Sequence, residues 1–359
     1  MPKPEPVLSR ARHWCRQRRA EGISPRATWL GWLAAAKSPV GIAVIGYLIL
    51  VTAVTLYIDA YGDVSGLGML LFGPRWWFML PWALLVPTTL LAPRKRMVFV
   101  ALVGVLVTLF GVMEFDVPSP FREHASRRAL RLVTYNTDRS AELALRIRDD
   151  LARWRADIVV MQDCKTIVAD SLRAIDGVRV HVTPEFCMVS RVPVESVELM
   201  PSTVRQGVGE VGRFGNVIRY RIKTAGGTLP IYSIHLESPR EALWEARNLS
   251  FDRLRSSIIV RGADSRRASA WVDRRDSAYV VAGDFNLPFR SAILRRDWAD
   301  LTNAFAEVGT GVGNTMSSGR YAVRIDHVLV PNALVVEAVV LERGFPSEHQ
   351  PVVVDLGWR

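Results

Sequence analysis

The chain has 359 residues, enough for one large domain plus an appendage, with 49% apolar residues and a mean hydropathy of +0.14. That hydropathy argues against a purely soluble protein and directs attention to membrane segments. The net charge of +11 is partly that of an Arg-rich N-terminus; it permits an anionic substrate without arguing for duplex DNA.

Residues 1–38 form a basic tail, with Arg10, Arg12, Arg16, Arg18 and Arg19 among its cations. The tail suits anionic lipid headgroups, with nucleic acid as an alternative. Three uncharged stretches follow, at 39–58, 76–93 and 97–113. A run of about 20 such residues crosses a bilayer core as a helix, so residues 39–115 are expected to be a membrane domain with three transmembrane helices. Lys and Arg flank these stretches on alternate sides: the tail before the first and "RKR" (94–96) before the third, against acidic Asp59, Asp63, Glu114 and Asp116 elsewhere. The positive-inside rule then puts the N-terminus in the cytoplasm and everything beyond about residue 115 on the other side. The expected protein is multi-pass, in a membrane such as the bacterial inner membrane, with a periplasmic or extracellular domain.

"DVPSPFREHAS" opens a linker, 116–129, and a domain is expected from 130 to 359. "ALRLVTYN" and "ADIVVMQ" read as strands. The helix between them has Leu143, Ile147, Leu151 and Trp154 on one face. "FGNVIRYRIKTAGGTLPIYSIHLE" is a hairpin about Gly226-Gly227. "EALWEARNLSFDRLRSSII" has the spacing of one long amphipathic helix, and "SAYVVAGDFN", "RIDHVLV" and "PVVVDL" are further strands. Strands interspersed with helices indicate a mixed α/β sandwich.

Polar residues collect where these strands stop: Asn136, then Gln162-Asp163, His235, Asp284 and Asn286, Asp326-His327, and Glu348-His349. Any one pair is an ordinary cap or turn. Six in one sandwich line one polar cleft. Carboxylates with an amide suit a hard cation such as Mg²⁺ or Mn²⁺, and the histidines suit proton transfer or stabilisation of a phosphoryl group.

In order, "TYN", "DIVVMQD", "VSRVPV", "SIHLESP", "AGDFN", "RIDHVLV" and "SEHQPVVVDL" resemble the motifs of the endonuclease/exonuclease/phosphatase, or DNase-I-like, superfamily. The resemblance covers about residues 130–357. It implies a two-sheet α/β sandwich with outer helices and Mg²⁺- or Mn²⁺-dependent cleavage of phosphate esters in nucleic acids or lipids. The implied metal-side residues are Asn136, Asp163 and Glu348. The implied catalytic residues are His235, which supports the leaving group or transition-state charge, Asp284 with Asn286 beside it, which activates water, and Asp326, which orients His349 toward the scissile phosphate. Asp138 matches an acid found in only some branches.

Two positions depart from the pattern. The family writes Gln-Glu where this chain has Gln162-Asp163, and Ser-Asp-His where it has Ser347-Glu348-His349. The exchanged acids either compensate by sharing one ion or mark a decayed site, and the retained Asn136, His235, Asp284, Asn286, Asp326 and His349 favour an active enzyme. Cys15 is expected to be cytoplasmic and reduced, and Cys164 and Cys187 to be two separate buried thiols, with a disulfide as the alternative. The expected protein is a membrane-anchored, metal-dependent phosphoesterase outside the cytoplasm. Its partners are a phosphate ester, lipid or nucleic acid, and the bilayer; no obligate protein partner is implied. The alternative is a non-catalytic descendant that binds a phosphorylated ligand through the same cleft.

Overall fold

The computed structural model describes residues 25–64, 66–91, 96–120, 122, 124–138, 142–164, 172–183, 185–201, 216–247, 252–319, 321–345 and 347–359. Most of the basic tail, including Cys15, and most of the "RKR" turn lie outside the described residues. The chain divides into two compact units. One comprises Met1–Thr55 and Trp76–Val112, the other Leu56–Arg75 and Met113–Arg359.

The first unit is helical: α1 (Pro25–Ala36), α2 (Pro39–Tyr61, continuing into the second unit), α3 (Leu80–Leu91) and α4 (Arg96–Leu106). Val44 and Val51 of α2 pack with Trp82, Ala101 and Val112. Trp82 Nε1 donates to Thr108 Oγ1 at 2.8 Å, and Thr108 Oγ1 to the Gly104 carbonyl at 2.9 Å, so the buried polar atoms are satisfied internally. Leu84, Leu91, Phe99 and Ile49 are exposed.

Among the described residues, one helix rather than three is long and apolar enough to cross a membrane. The 23 residues of α2 reach about 35 Å at 1.5 Å each, beyond a hydrocarbon core of about 30 Å. The second and third stretches give α-helices of 12 and 11 residues. With the 3-10 turn Arg75–Met79 and the π turn Val107–Val112, the described helical lengths are about 28 and 25 Å. Counting uncharged residues included segments that form 3-10 and π turns rather than regular α-helix.

The second unit holds two six-stranded sheets. The first has the order β13-β14-β1-β2-β4-β3, with β1 (Arg127–Asn136), β2 (Ile158–Gln162), β3 (Arg179–Val182), β4 (Phe186–Ser190), β13 (Leu334–Leu341) and β14 (Val352–Trp358). The second has the order β5-β6-β7-β8-β12-β9, with β5 (Val194–Leu199), β6 (Asn216–Thr224), β7 (Gly227–His235), β8 (Val280–Asp284), β9 (Thr302–Asn303) and β12 (Asp326–Val330). A separate hairpin pairs β10 (Met316–Ser318) with β11 (Tyr321–Val323).

Alternation builds the layers. Leu130, Leu132, Ile158 and Val160 face inward to meet Ile218, Tyr220, Ile231, Val280 and Ala282 of the other sheet. The alternate residues Val133, Tyr135, Val159 and Met161 pack with Ile147, Leu151 and Trp154 of α5 (Glu142–Trp154). On the far side Tyr232, Ile234 and Val281 pack with Ala268 and Trp298, from α7 (Asp252–Trp271) and α8 (Ala292–Trp298). Among the described residues, the amphipathic segment expected as one helix contributes α6 (Arg240–Arg247) and α7, the latter running twelve residues past Ile259. The last helix, α9 (Ala304–Val308), follows β9 directly.

Two further expectations are corrected. Cys164 and Cys187 form a disulfide with Cα atoms 5.7 Å apart. The antiparallel register of β2 and β4 pairs Met161 with Cys187, and Cys164 lies just beyond the end of β2, within reach. Nor is 116–129 a free linker. Asp116 and Gly311 exchange two backbone hydrogen bonds, Ser126 N–H donates to the Trp358 carbonyl, and β1 already starts at Arg127.

The strand registers bring polar ends together. β1 and β2 run parallel with Asn136 opposite Gln162, and β7 and β8 run parallel with His235 opposite Asp284. β12 enters antiparallel with Asp326 opposite Asp284. Gly283 makes the close pairing possible: its φ is +145°, and a Cβ there would lie 2.0 Å from the Ile234 carbonyl oxygen.

Candidate active site

Asp284 is the centre of the cleft and is buried. Its Oδ2 accepts from Asn136 Nδ2 at 2.9 Å, and its Oδ1 from the Asn286 backbone N–H at 2.8 Å. Two imidazoles face it: His235 Nε2 lies 3.9 Å and His349 Nε2 3.8 Å from Oδ2. Burial and the Asp326 carboxylate raise the Asp284 pKa above its ordinary value, against the histidines and Asn136, which lower it.

His349 donates its Nδ1–H to Asp326 Oδ2 at 2.9 Å. Asp326 is held in turn by the strand start, where Thr315 Oγ1 accepts from the Ile325 and Asp326 N–H groups. Burial lowers the His349 pKa, but the Asp326 and Asp284 carboxylates outweigh it and lift the imidazole to about 9. Asp284, Asp326 and His349 each present one ligand atom within 4.8 Å of the others. The neighbouring His327 is different: it bonds the Leu287 carbonyl and Asn303 on the other face of β12, and burial pushes it down to about 4. It is a packing residue.

A second group lies at the more open side of the cleft: Asp163, Glu185 and His235, again within 4.8 Å of one another and each only half-buried. Glu185 Oε2 is 3.8 Å from His235 Nδ1. Against burial, which lowers it, Glu185, Asp284 and Asp163 hold the His235 imidazole above its ordinary value. The disulfide ties this group together. Cys164 follows Asp163, Cys187 lies two residues after Glu185, and Cys164 N–H reaches the Glu185 carbonyl at 3.4 Å. Asp163 has φ +52° and Asn286 φ +51°; short Asp and Asn tolerate this left-handed region better than most residues. That is a local reason for Asp rather than Glu at 163.

Gln162 stays in the core. Its Nε2 bonds Ser233 Oγ at 2.9 Å and Thr134 Oγ1 at 3.2 Å, joining the two sheets just beneath the cleft. Asn136 Oδ1 accepts from Asp138 N–H at 2.9 Å; Asp138 thereby stands beside the cleft.

Glu348 does not join either group among the described residues. Its carboxylate meets Arg240 Nη2 at 2.8 Å and accepts from Ser318 Oγ at 2.5 Å. Residues around 349 pair with the β10 segment, Ser317 N–H to the Glu348 carbonyl and Gln350 N–H to the Thr315 carbonyl. In such extended chain successive side chains point to opposite faces. With His349 turned inward, Glu348 is turned out. The carboxylate beside Asp163 is Glu185, which the sequence reading missed because nothing in "PEFCMVS" marks it.

A profile described as the endonuclease/exonuclease/phosphatase family matches residues 133–349. The chain belongs to this family. No curated protein matches it. Solved structures with a similar fold include an endonuclease/exonuclease/phosphatase from Beutenbergia cavernae (20% identity, 65% of this chain and 72% of that one, TM-score 0.48). A Neisseria 3' phosphatase bound to a product DNA hairpin has 20% identity over 64% of this chain and 100% of its own, TM-score 0.48. A Bacteroides thetaiotaomicron mannosyl-6-phosphatase has 14% identity over 64% and 100%, TM-score 0.45. The family's members are phosphoesterases, generally dependent on a divalent metal.

The residues present fit such a cation. Asp163, Glu185 and His235 supply two carboxylates and an imidazole in one place, partly open to water, which Mg²⁺ retains in part when bound. The buried set of Asp284, Asp326 and His349 suits proton transfer instead, because the His349 Nδ1 is already committed to Asp326.

The raised His349 pKa gives a pH signature. The imidazolium stabilises the fold in full below its unfolded value of about 6.5, and that contribution is lost as pH rises through about 9. In EDTA, the protein should exceed His349→Gln in unfolding free energy at pH 6 by on the order of 3 kcal/mol, and the gap should close by pH 10. Denaturant unfolding followed by tryptophan fluorescence measures it. A pH-independent gap would contradict the assignment.

Proposed function

We propose that this protein is a membrane-anchored phosphoesterase that uses Mg²⁺ or Mn²⁺ to hydrolyse a phosphodiester or phosphomonoester outside the cytoplasm. The observation that carries the proposal is the burial of Asp284 between two imidazoles, with a separate carboxylate–imidazole group at the open side of the same cleft.

In this reading Asp163, Glu185 and His235 hold the ion, which when bound supplies positive charge for the phosphate oxygens. Asp284, with its raised pKa, is a better proton acceptor than an exposed aspartate and takes the proton of the attacking water. Asn136 and Asn286 fix its carboxylate by the bonds to Oδ2 and Oδ1. His349 is protonated at neutral pH and pairs with the scissile phosphate while Asp326 holds its other nitrogen. His235, facing both groups, stabilises charge on the phosphoryl centre. Asn136, expected on the metal side, is bonded to Asp284 through Nδ2 and to the Asp138 N–H through Oδ1.

Anchoring rests on α2. Orientation rests on the basic tail and on the disulfide, which persists in oxidising compartments. The bilayer and a phosphate ester, in a lipid or a nucleic acid, are the proposed partners.

The purified protein should hydrolyse bis(p-nitrophenyl) phosphate or p-nitrophenyl phosphate with Mg²⁺ or Mn²⁺ and stop in EDTA. Asp284→Ala should lower kcat by about 10³-fold, and Glu185→Gln should weaken Mn²⁺ affinity by about tenfold in calorimetry. A folded protein that binds Mn²⁺ and cleaves neither ester supports the non-catalytic alternative. For orientation, alkaline phosphatase fused after residue 120 should be active outside the cytoplasm; a silent fusion reverses the assignment.

A further inference from the structure

The family match begins at residue 133, yet residues 56–75 belong to the same compact unit as the catalytic strands. Their contacts with it are buried and charged. Asp63 is 2% exposed, and its two oxygens meet Arg261 Nη1 at 2.9 Å and Ser291 Oγ at 2.8 Å. Arg261 and Ser291 are themselves 1% and 0% exposed. Ser291 Oγ also accepts from the Ile293 and Leu294 N–H groups, capping α8. Gly62, with φ +51°, brings the backbone so close that a Cβ would lie 2.6 Å from Ala292 N. Asp59 adds a peripheral hold: its carboxylate meets Arg290 at 3.1 Å and its carbonyl accepts from Arg295 at 2.6 Å.

Ser291 ends the short loop that begins at Asp284 and Asn286. The same loop is held from the domain side by Phe285 N–H to the Ile325 carbonyl and by His327 to the Leu287 carbonyl. A second tie reaches the other catalytic acid. Arg75 pairs with Glu114 at 2.5 Å; Glu114 and Asp116 face Arg324, at 3.9 and 2.5 Å. Arg324 is fully buried, stands 4.3 Å over the Phe289 ring and 4.9 Å from that of Phe305, and lies two residues before Asp326. Both ends of the 56–75 segment thus reach the loop or strand start that carries Asp284 or Asp326.

We propose that residues 56–75, outside the family-matched region, are a positioning element of the active site, with Asp63 setting the Asp284–Ser291 loop through Ser291 and Arg261. Asp63 touches no reacting group; it acts through the loop. A carboxylate with two buried partners holds one geometry, and its loss leaves the Arg261 charge and the Ser291 hydroxyl without it. Small displacements of a catalytic group cost turnover more than binding when the group acts in the transition state.

This inference rests on the hydrolase reading, so its test has one arm that needs no activity. In full-length Asp63→Asn, amide hydrogen exchange across 285–291 should quicken by about tenfold or more while β13 and β14 keep their rates. With bis(p-nitrophenyl) phosphate and Mg²⁺, kcat should fall by about tenfold or more with KM within about twofold. Asp59→Asn, at the periphery, should move both readouts in the same direction by less, and it decides the matter if Asp63→Asn does not fold. Faster exchange everywhere, or unchanged exchange in 285–291, overturns the proposal. Local exchange that quickens in a protein whose parent form cleaves neither ester would leave the positioning intact and defeat the hydrolase reading instead.

Discussion

The parallel pairing of β7 with β8 is the constraint on which the site depends. It sets His235 opposite Asp284 in register, and the antiparallel entry of β12 sets Asp326 on the far side of Asp284. Parallel neighbours bring their C-terminal ends to the same edge, whereas a hairpin alternates them. The first sheet repeats the device with β1 and β2, which end in Asn136 and Gln162. Packing the two sheets face to face then brings both edges to one mouth, and the Gln162–Ser233 bond joins them just beneath it.

That arrangement creates a problem which the surrounding residues solve. Asp284 and Asp326 are adjacent buried carboxylates, and like charges in a poorly solvated place repel. His349 lies against both, and Asn136 and Asn286 give Asp284 its hydrogen bonds. The cost of burying the acids is thus offset by groups that also fit them for proton transfer. Removal of any one takes a hydrogen-bond or charge partner from a neighbour, so the set is expected to behave as a unit rather than as independent contributors.

Strand ends were legible in the sequence because period-two apolar runs stop at polar residues, and Asn136, Asp163, His235, Asp284, Asn286, Asp326 and His349 all stand at or beside the cleft. Residues that act through tertiary contact were not legible. Glu185 precedes an ordinary apolar strand, and only the β2–β4 register and the disulfide bring it to Asp163. Asp63 read as a loop charge useful for topology, whereas it is buried against Arg261, 198 positions away. Glu348 was read by motif position alone; the inward turn of His349 sends it to Arg240. Membrane helices were over-read because uncharged composition does not report where a helix changes to a 3-10 or π turn.

The central claim is that the ion sits at Asp163, Glu185 and His235, beside rather than within the Asp284–Asp326–His349 set. Anomalous diffraction from crystals grown with Mn²⁺ tests it most directly. The account predicts a single strong peak at ligand distance, about 2.0–2.2 Å, from carboxylate oxygens of Asp163 and Glu185, with His349 Nδ1 still on Asp326. A peak coordinated by Glu348, or one that displaces His349 from Asp326, would contradict it.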